Sequence, residues 1–121
     1  AEKNAGLIVK VPLDSGWLSG KYDETSVFTD IRSRWNRDQL TKRAELLPVL
    51  KEMLEPGETL IQLALRYILY YHEVSTVIPG NKNLEQLIEN LSATNQRMPA
   101  EKVKKLEKIW EQKLQADPLG W

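Results

Sequence analysis

The chain has 121 residues, room for one domain with one modest core. Seventeen Lys and Arg balance seventeen Asp and Glu, so no net field draws it to nucleic acid or to an anionic membrane. The absence of cysteine excludes disulfides, thiol catalysis and thiolate metal sites, and the lone His72 is too little for a zinc or haem centre. No apolar run reaches the roughly 18 residues of a membrane span, and the start AEKNAG runs into GLIVKV without the pattern of a leader. The expectation is a soluble, cytoplasmic chain with neither nucleic-acid nor membrane partners.

Residues 7–13, LIVKVPL, read as a strand that ends at a proline. Residues 14–36 form a long connection with Gly16 and Gly20 and no sustained period, the kind of loop that is functional or mobile. A helix is predicted from about Arg37, capped by Asn36, with Leu40, Ala44, Leu47 and Leu54 on one face; Pro48 should kink it or split it. After the break at Pro56-Gly57, Thr59 opens a second helix, with Gln62 placed for a capping box. Its residues 60–69 are apolar nearly all round, which requires partners on several faces.

VSTVI, residues 74–78, reads as a second strand. A helix from Asn83 to about Thr94 follows, with Leu84, Leu87, Ile88 and Leu91 as its apolar stripe. Pro99 suits the first position of a last helix to about Gln115, whose Val103, Leu106, Ile109, Trp110 and Leu114 should face inward. The tail DPLGW is expected to be loose. Strands joined by helices belong to sheets covered on both faces. Two short strands beside an apolar-all-round helix therefore point to a piece of a larger architecture.

The chemistry concentrates at the second strand-to-helix junction, PGNKN. Backbone N–H groups are unpaired at a helix start, and the helix dipole adds positive charge there. Gly80 allows close approach and Lys82 adds a full charge, a combination that suits a phosphate. The plainer reading, a turn, an N-cap at Asn83 and a solvated lysine, stays open. The first strand end, VPLDSGWLSGKY, also carries glycines and serines whose neighbourhood offers N–H groups to a ligand. It is not a P-loop: Gly16 and Gly20 are one residue too close, and Tyr22 stands where the magnesium-binding hydroxyl belongs. Asp14 would repel a phosphate unless it points elsewhere. His72, at a helix end, has no nearby acid or nucleophile, and Tyr67, Tyr70 and Tyr71 fit a core and its rim. No catalytic constellation is visible.

GLIVKVPLDSGWLSGKY, followed by TLIQLALRYILYYHEVSTVIPGNKNLEQLIENLSA, resembles the carboxy-terminal part of an aldo/keto reductase. The resemblance covers most of the chain and is most specific over residues 60–93. It implies a helix-rich α/β fragment of a (β/α)8 TIM barrel, with residues 7–13 and 74–78 as the seventh and eighth strands. Loops after those strands are where such barrels often hold phosphate. It further implies NADP(H) as cofactor. Gly80, Asn81 and Lys82 would hold the 2′-phosphate end, and Gln86 and Asn90 would reach the adenosine. Leu13, Ser15, Leu18, Gly20 and Lys21 would follow the pyrophosphate.

Two departures accompany the resemblance. Where many relatives place an aromatic residue to stack on the nicotinamide, this chain has Lys10. The family's catalytic Asp, Tyr, Lys and His lie in the amino-terminal half of the barrel, and no residue here is assigned to them. A whole barrel of this kind takes roughly 250 residues. The expectation is thus a single cofactor-binding segment of a reductase for carbonyl substrates, inactive by itself. It would meet either the missing amino-terminal part of a barrel or a second copy of itself. The alternative is a non-catalytic helical interaction or self-association module on the same scaffold.

Overall fold

The computed structural model describes residues 5–120. The amino-terminal residues read for a leader, and Trp121 of the tail, lie outside the described residues. Strand β1, Leu7–Lys10, is shorter than the 7–13 expected. Val11 leaves the extended region at φ 54°, a conformation costly for a β-branched residue. Pro12 then has no N–H to donate to a ladder. Strand β2, Val74–Ile78, falls where the sequence places it. The two pair in parallel, Leu7 with Val74 and then Ile8 with Thr76, Val9 with Val77 and Lys10 with Ile78. Ser75 is the extra residue at that irregularity, and its Oγ accepts the Leu7 N–H at 3.1 Å.

Helix α1, Arg37–Lys51, starts in a reciprocal box: Asn36 Oδ1 accepts from Gln39 N at 2.9 Å, and Gln39 Oε1 accepts from Asn36 N at 3.0 Å. Pro48 does not split it. The proline stands exposed in the last turn, so the hydrogen bond it deletes is lost near the helix end. Helix α2, Leu60–Tyr70, has the Thr59–Gln62 capping box expected of it. It divides the interior. Leu60 and Leu63 pack toward Trp17, Trp35, Leu40, Leu47, Met98 and Val103, whereas Ile61 and Leu65 pack toward Ala93, Leu13 and Val77. That two-sided burial is what an all-round apolar sequence requires.

The long connection, residues 14–36, is built on a packed aromatic cluster. Trp17 meets Trp35 edge-on at 6.0 Å, and Phe28 meets both Trp35 (5.8 Å) and Tyr22 (5.0 Å). Helix α3, Leu84–Ser92, is capped by Asn83 and followed by a 3₁₀ turn, Ala93–Asn95. Its apolar stripe is uncovered, with Leu84 68% and Ile88 58% exposed. One face of the strand pair is uncovered too: Val9 and Val77 turn inward, whereas Ile8 and Ile78 are exposed.

Helix α4, Ala100–Ile109, takes Pro99 as its N-cap and not as its first residue, so it starts one position later than predicted. It runs into a π-helical turn, Trp110–Leu114, closed by Gln115 N donating to Trp110 O at 2.8 Å. The wider turn changes the phase of the helix, and Trp110, expected inside, is half exposed. The tail is not loose over its described part. Asp117 pairs with Lys42, and Arg43 Nη2 donates to Gly120 O at 2.9 Å. Between α2 and α4, Glu58 is an almost fully buried carboxylate held by Arg66 Nη1 at 2.8 Å and Lys102 Nζ at 2.5 Å.

Candidate functional site

Because the strands are parallel, the chain leaves both at the same end, and the two loops singled out by sequence start side by side. They are constructed differently.

The loop after β1 is a tight knot. Asp14 (φ 47°) and Ser15 (φ 53°) join Val11 in the left-handed region, followed by Gly16 (φ 91°) and Gly20 (φ 72°). Non-glycine residues there cost about 1–3 kcal/mol each and persist only where their surroundings fix them. Trp17, fully buried, and a series of backbone bonds do the fixing. Gly16 N and Leu18 N both donate to Leu13 O, at 2.9 and 3.1 Å, Trp17 N donates to Asp14 O at 3.0 Å, and Gly20 N donates to Trp17 O at 3.0 Å. Those amides are therefore spent inside the loop. Leu13, Leu18 and Gly20 contribute shape, and Ser15 and Lys21 are the residues of this set whose side chains can donate to a ligand.

Asp14 does point elsewhere. Its carboxylate accepts from Arg43 Nε at 2.7 Å and Nη2 at 3.3 Å, and that guanidinium lies over Trp35 at 4.1 Å. Arg43 is 3% exposed, so the loop's acid is neutralised from within. Arg34 brings a further cation, its Nη2 donating to Ser15 Oγ at 3.4 Å. Neither arginine is evident as a site residue in sequence. The run IRSRW is a basic stretch without periodicity, and Arg43 reads as one more charge on a helix. Next to them Arg32 holds the Asp30 carboxyl down at about 2, by side-chain hydrogen bonding first and backbone bonding second.

The loop after β2 is open. Gly80 lies in free space, and Lys82 is exposed with no carboxylate in ion-pair range among the described residues. Two residues one helical turn apart on α3 hold its backbone. Gln86 Oε1 accepts from Lys82 N at 2.8 Å. The nearly buried Asn90 donates from Nδ2 to Asn81 Oδ1 at 2.6 Å and to Gly80 O at 3.4 Å. Asn83 Oδ1 takes the Gln86 N–H at 2.9 Å as the cap. All five residues named for the junction are thus one cluster, at the positive end of a nine-residue helix. No hydrogen bond among the described residues ties this cluster to the β1 loop.

Elsewhere, Lys10 is exposed on the uncovered strand face, opposite Ile78. His72, read from sequence as lacking a nearby acid, lies 3.3 Å from the carboxylate of the adjacent Glu73, and both side chains are exposed. Tyr71 donates to Glu107 at 2.7 Å and contacts the Tyr67 hydroxyl at 3.1 Å, and burial followed by these bonds pushes its pKa far up. Among the described residues no group of three His, Cys, Asp or Glu side chains is placed to hold a metal ion, and no helix is long and apolar enough to cross a membrane.

Parallel strands joined through helices, with polar loops at their carboxyl ends, are the repeating unit of α/β folds such as the (β/α)8 barrel. The sequence model of the Aldo/keto reductase family matches residues 1–111, and the chain belongs to that family. A probable voltage-gated potassium channel subunit beta from Arabidopsis thaliana is 35% identical over 101 residues, covering 74% of this chain and 30% of the relative. A second protein of the same description, from Schizosaccharomyces pombe, is 30% identical over 118 residues, covering 86% and 33%. An aldo-keto reductase of Bacillus halodurans, solved in its holo form, superposes with a TM-score of 0.60 at 24% identity, over 89% of this chain and 34% of its own. The chain spans about a third of the length of the relatives it matches.

Proposed function

We propose that this chain is the cofactor-binding carboxy-terminal segment of an NADP(H)-dependent aldo/keto reductase acting on carbonyl substrates. The observation that carries the reading is the β2–α3 junction. An open glycine and a lysine with no carboxylate in ion-pair range among the described residues stand at a helix N-terminus, on backbone that Gln86 and Asn90 hold in place. That donor set fits a phosphate: the dipole, the ammonium and the free space all favour an anion close to the backbone. Lys82 would take the 2′-phosphate, and Gln86 and Asn90 would position the loop on the adenosine side. Ser15, Lys21 and Arg34 would line the pyrophosphate along the loop after β1.

NADP(H), when bound, supplies or accepts the hydride. The residues of this segment bind and orient it, which is the protein's share in cofactor chemistry. The proton for the carbonyl oxygen would come from outside this segment, since Tyr67 and Tyr71 are engaged with each other and with Glu107. The test is a titration of the chain with NADPH and NADH. Saturable binding that favours NADPH supports the reading, and equal affinity for both removes its basis.

A second reading, an interaction module on the same scaffold, is favoured by one observation. Leu84, Leu87, Ile88 and Leu91 make a continuous exposed apolar stripe of the kind that marks protein contact. The two readings are compatible if the partner is the rest of a barrel.

A further inference from the structure

A cleft of about 260 Å³ opens between α1, α2 and the α4–π turn, on the helical side of the molecule. Its floor is Leu60 and Leu63 of α2, both buried. Only Tyr67 and Trp110 among its wall residues carry a polar side-chain atom, and none carries a charge. The Tyr67 hydroxyl is already in contact with that of Tyr71.

This is not another part of the uncovered surface. Of the large apolar side chains left exposed among the described residues, Trp110 alone reaches the cleft, whereas the α3 stripe and the open strand face lie elsewhere. The walls come from α1, α2, the α4–π turn and the loop after β1, which contributes Pro12 and Leu18. The π-helical turn forms one side; such turns break helix regularity and recur at functional sites. An apolar cavity of about 150 Å³ lined by Leu, Ile and Phe stays dry and takes benzene. This cleft has more room and a mostly aliphatic lining, and it opens to solvent on one side.

We infer that the cleft between α1, α2 and α4 is a binding site for small uncharged apolar molecules of about one aromatic ring. A charged ligand would find no counter-charge in the walls and would lose its hydration on entry. The cleft adjoins the loop after β1, whose Pro12 and Leu18 form part of its wall, and it shares no residue with the β2–α3 junction.

The experiment uses the full 121-residue chain, with toluene as probe and benzoate as its charged equivalent of similar size. Methyl NMR shifts and Trp110 fluorescence are followed through a titration. Toluene should bind saturably and shift the methyls of Leu63, Ile68 and Leu106, and benzoate should not compete. Two filling variants on different walls, Ala64→Leu and Leu46→Phe, should each weaken toluene binding at least tenfold with the far-UV spectrum unchanged. If one of them unfolds, the other decides. Toluene that shifts the Leu84, Leu87 and Leu91 methyls instead, that fails to saturate, or that binds a folded filling variant as well as the parent, would overturn the inference.

Discussion

Replacing Lys82 by alanine separates charge from architecture at the proposed phosphate site. The loop there is held by backbone and amide contacts, Lys82 N to Gln86 Oε1 and Asn90 Nδ2 to Asn81 Oδ1. None of them involves the lysine ammonium, so Lys82→Ala should leave the loop standing. A hydrogen bond to a charged group is worth about 1.5–3 kcal/mol, which is about one to two decades in affinity. NADPH carries the 2′-phosphate and NADH does not, so the loss should fall on NADPH alone. Because Lys82 is exposed, raising ionic strength should shrink the difference between parent and variant. Asn90→Ala is the contrast. It removes two bonds to the loop from a nearly buried side chain and should weaken both cofactors alike. The assay is a fluorescence titration of each cofactor against each variant, in the chain and in a complete barrel that carries it. Equal losses for NADPH and NADH in Lys82→Ala would place the ammonium away from the phosphate and leave PGNKN as a turn and a cap.

Three other outcomes are expected. Glu58→Gln leaves Arg66 and Lys102 around a neutral group, and removing one partner of a buried ion pair costs about 3 kcal/mol, measurable by urea denaturation. Burial pushes the Glu58 carboxyl up, but its bonds with Lys102, Glu55 N–H and Arg66 outweigh this and hold it below the ordinary glutamate value of 4.5. Its contribution should therefore be complete above about pH 4.5 and fade as pH falls through the lower folded value; a parent and a Glu58→Gln variant with the same acid dependence would contradict that sign. The chain alone should not oxidise NADPH with a panel of aldehydes, and turnover abolished by Tyr67→Phe or His72→Ala would reveal a site that neither sequence nor geometry shows. Sedimentation should detect self-association that Leu87→Glu and Ile88→Glu reduce, whereas a strictly monomeric parent that binds no hydrophobic dye would show the α3 stripe to be inert.

What was legible in the sequence was local. The caps at Asn36, Thr59 and Asn83 are short-range hydrogen bonds between residues three apart, and each formed. Strand β2 could be read because its β-branched run ends in Pro-Gly. The first strand misled for the same reason: Val11 and Pro12 continue a strand-like composition, but Val11 turns left-handed. Contacts between distant residues were not legible. Nothing in local pattern pairs Asp14 with Arg43, twenty-nine positions on, or predicts that Trp17 and Trp35 make a core of a loop without periodicity. The apolar stripe of α3 was visible as a pattern, but pattern alone cannot say whether this chain covers it. At the site, the residues from Gly80 to Asn90 are close in sequence and read together, whereas Arg34 reaches Ser15 only through the fold of the long loop.

In the proposed reading the two loops at the strand ends would divide the work of holding a phosphate-bearing ligand. The first is stiff. Three left-handed side-chain-bearing residues are locked by a buried tryptophan, an internal ion pair and amides already satisfied, so it presents a fixed wall with few free donors. The second has its backbone fixed from below by Gln86 and Asn90, but Gly80 and the Lys82 ammonium on its upper face meet no partner among the described residues. A rigid wall discriminates by shape and gains little from charge; an open cationic mouth gains most of its affinity from charge and loses it to salt. Discrimination between the two cofactors should accordingly reside in the second loop, and changes in the first should alter affinity for both together. Ser15→Gly tests this division, because it keeps the left-handed backbone and deletes the hydroxyl that Arg34 reaches. It should weaken NADPH and NADH by the same modest factor, and a loss confined to NADPH would put the 2′-phosphate at the first loop rather than the second.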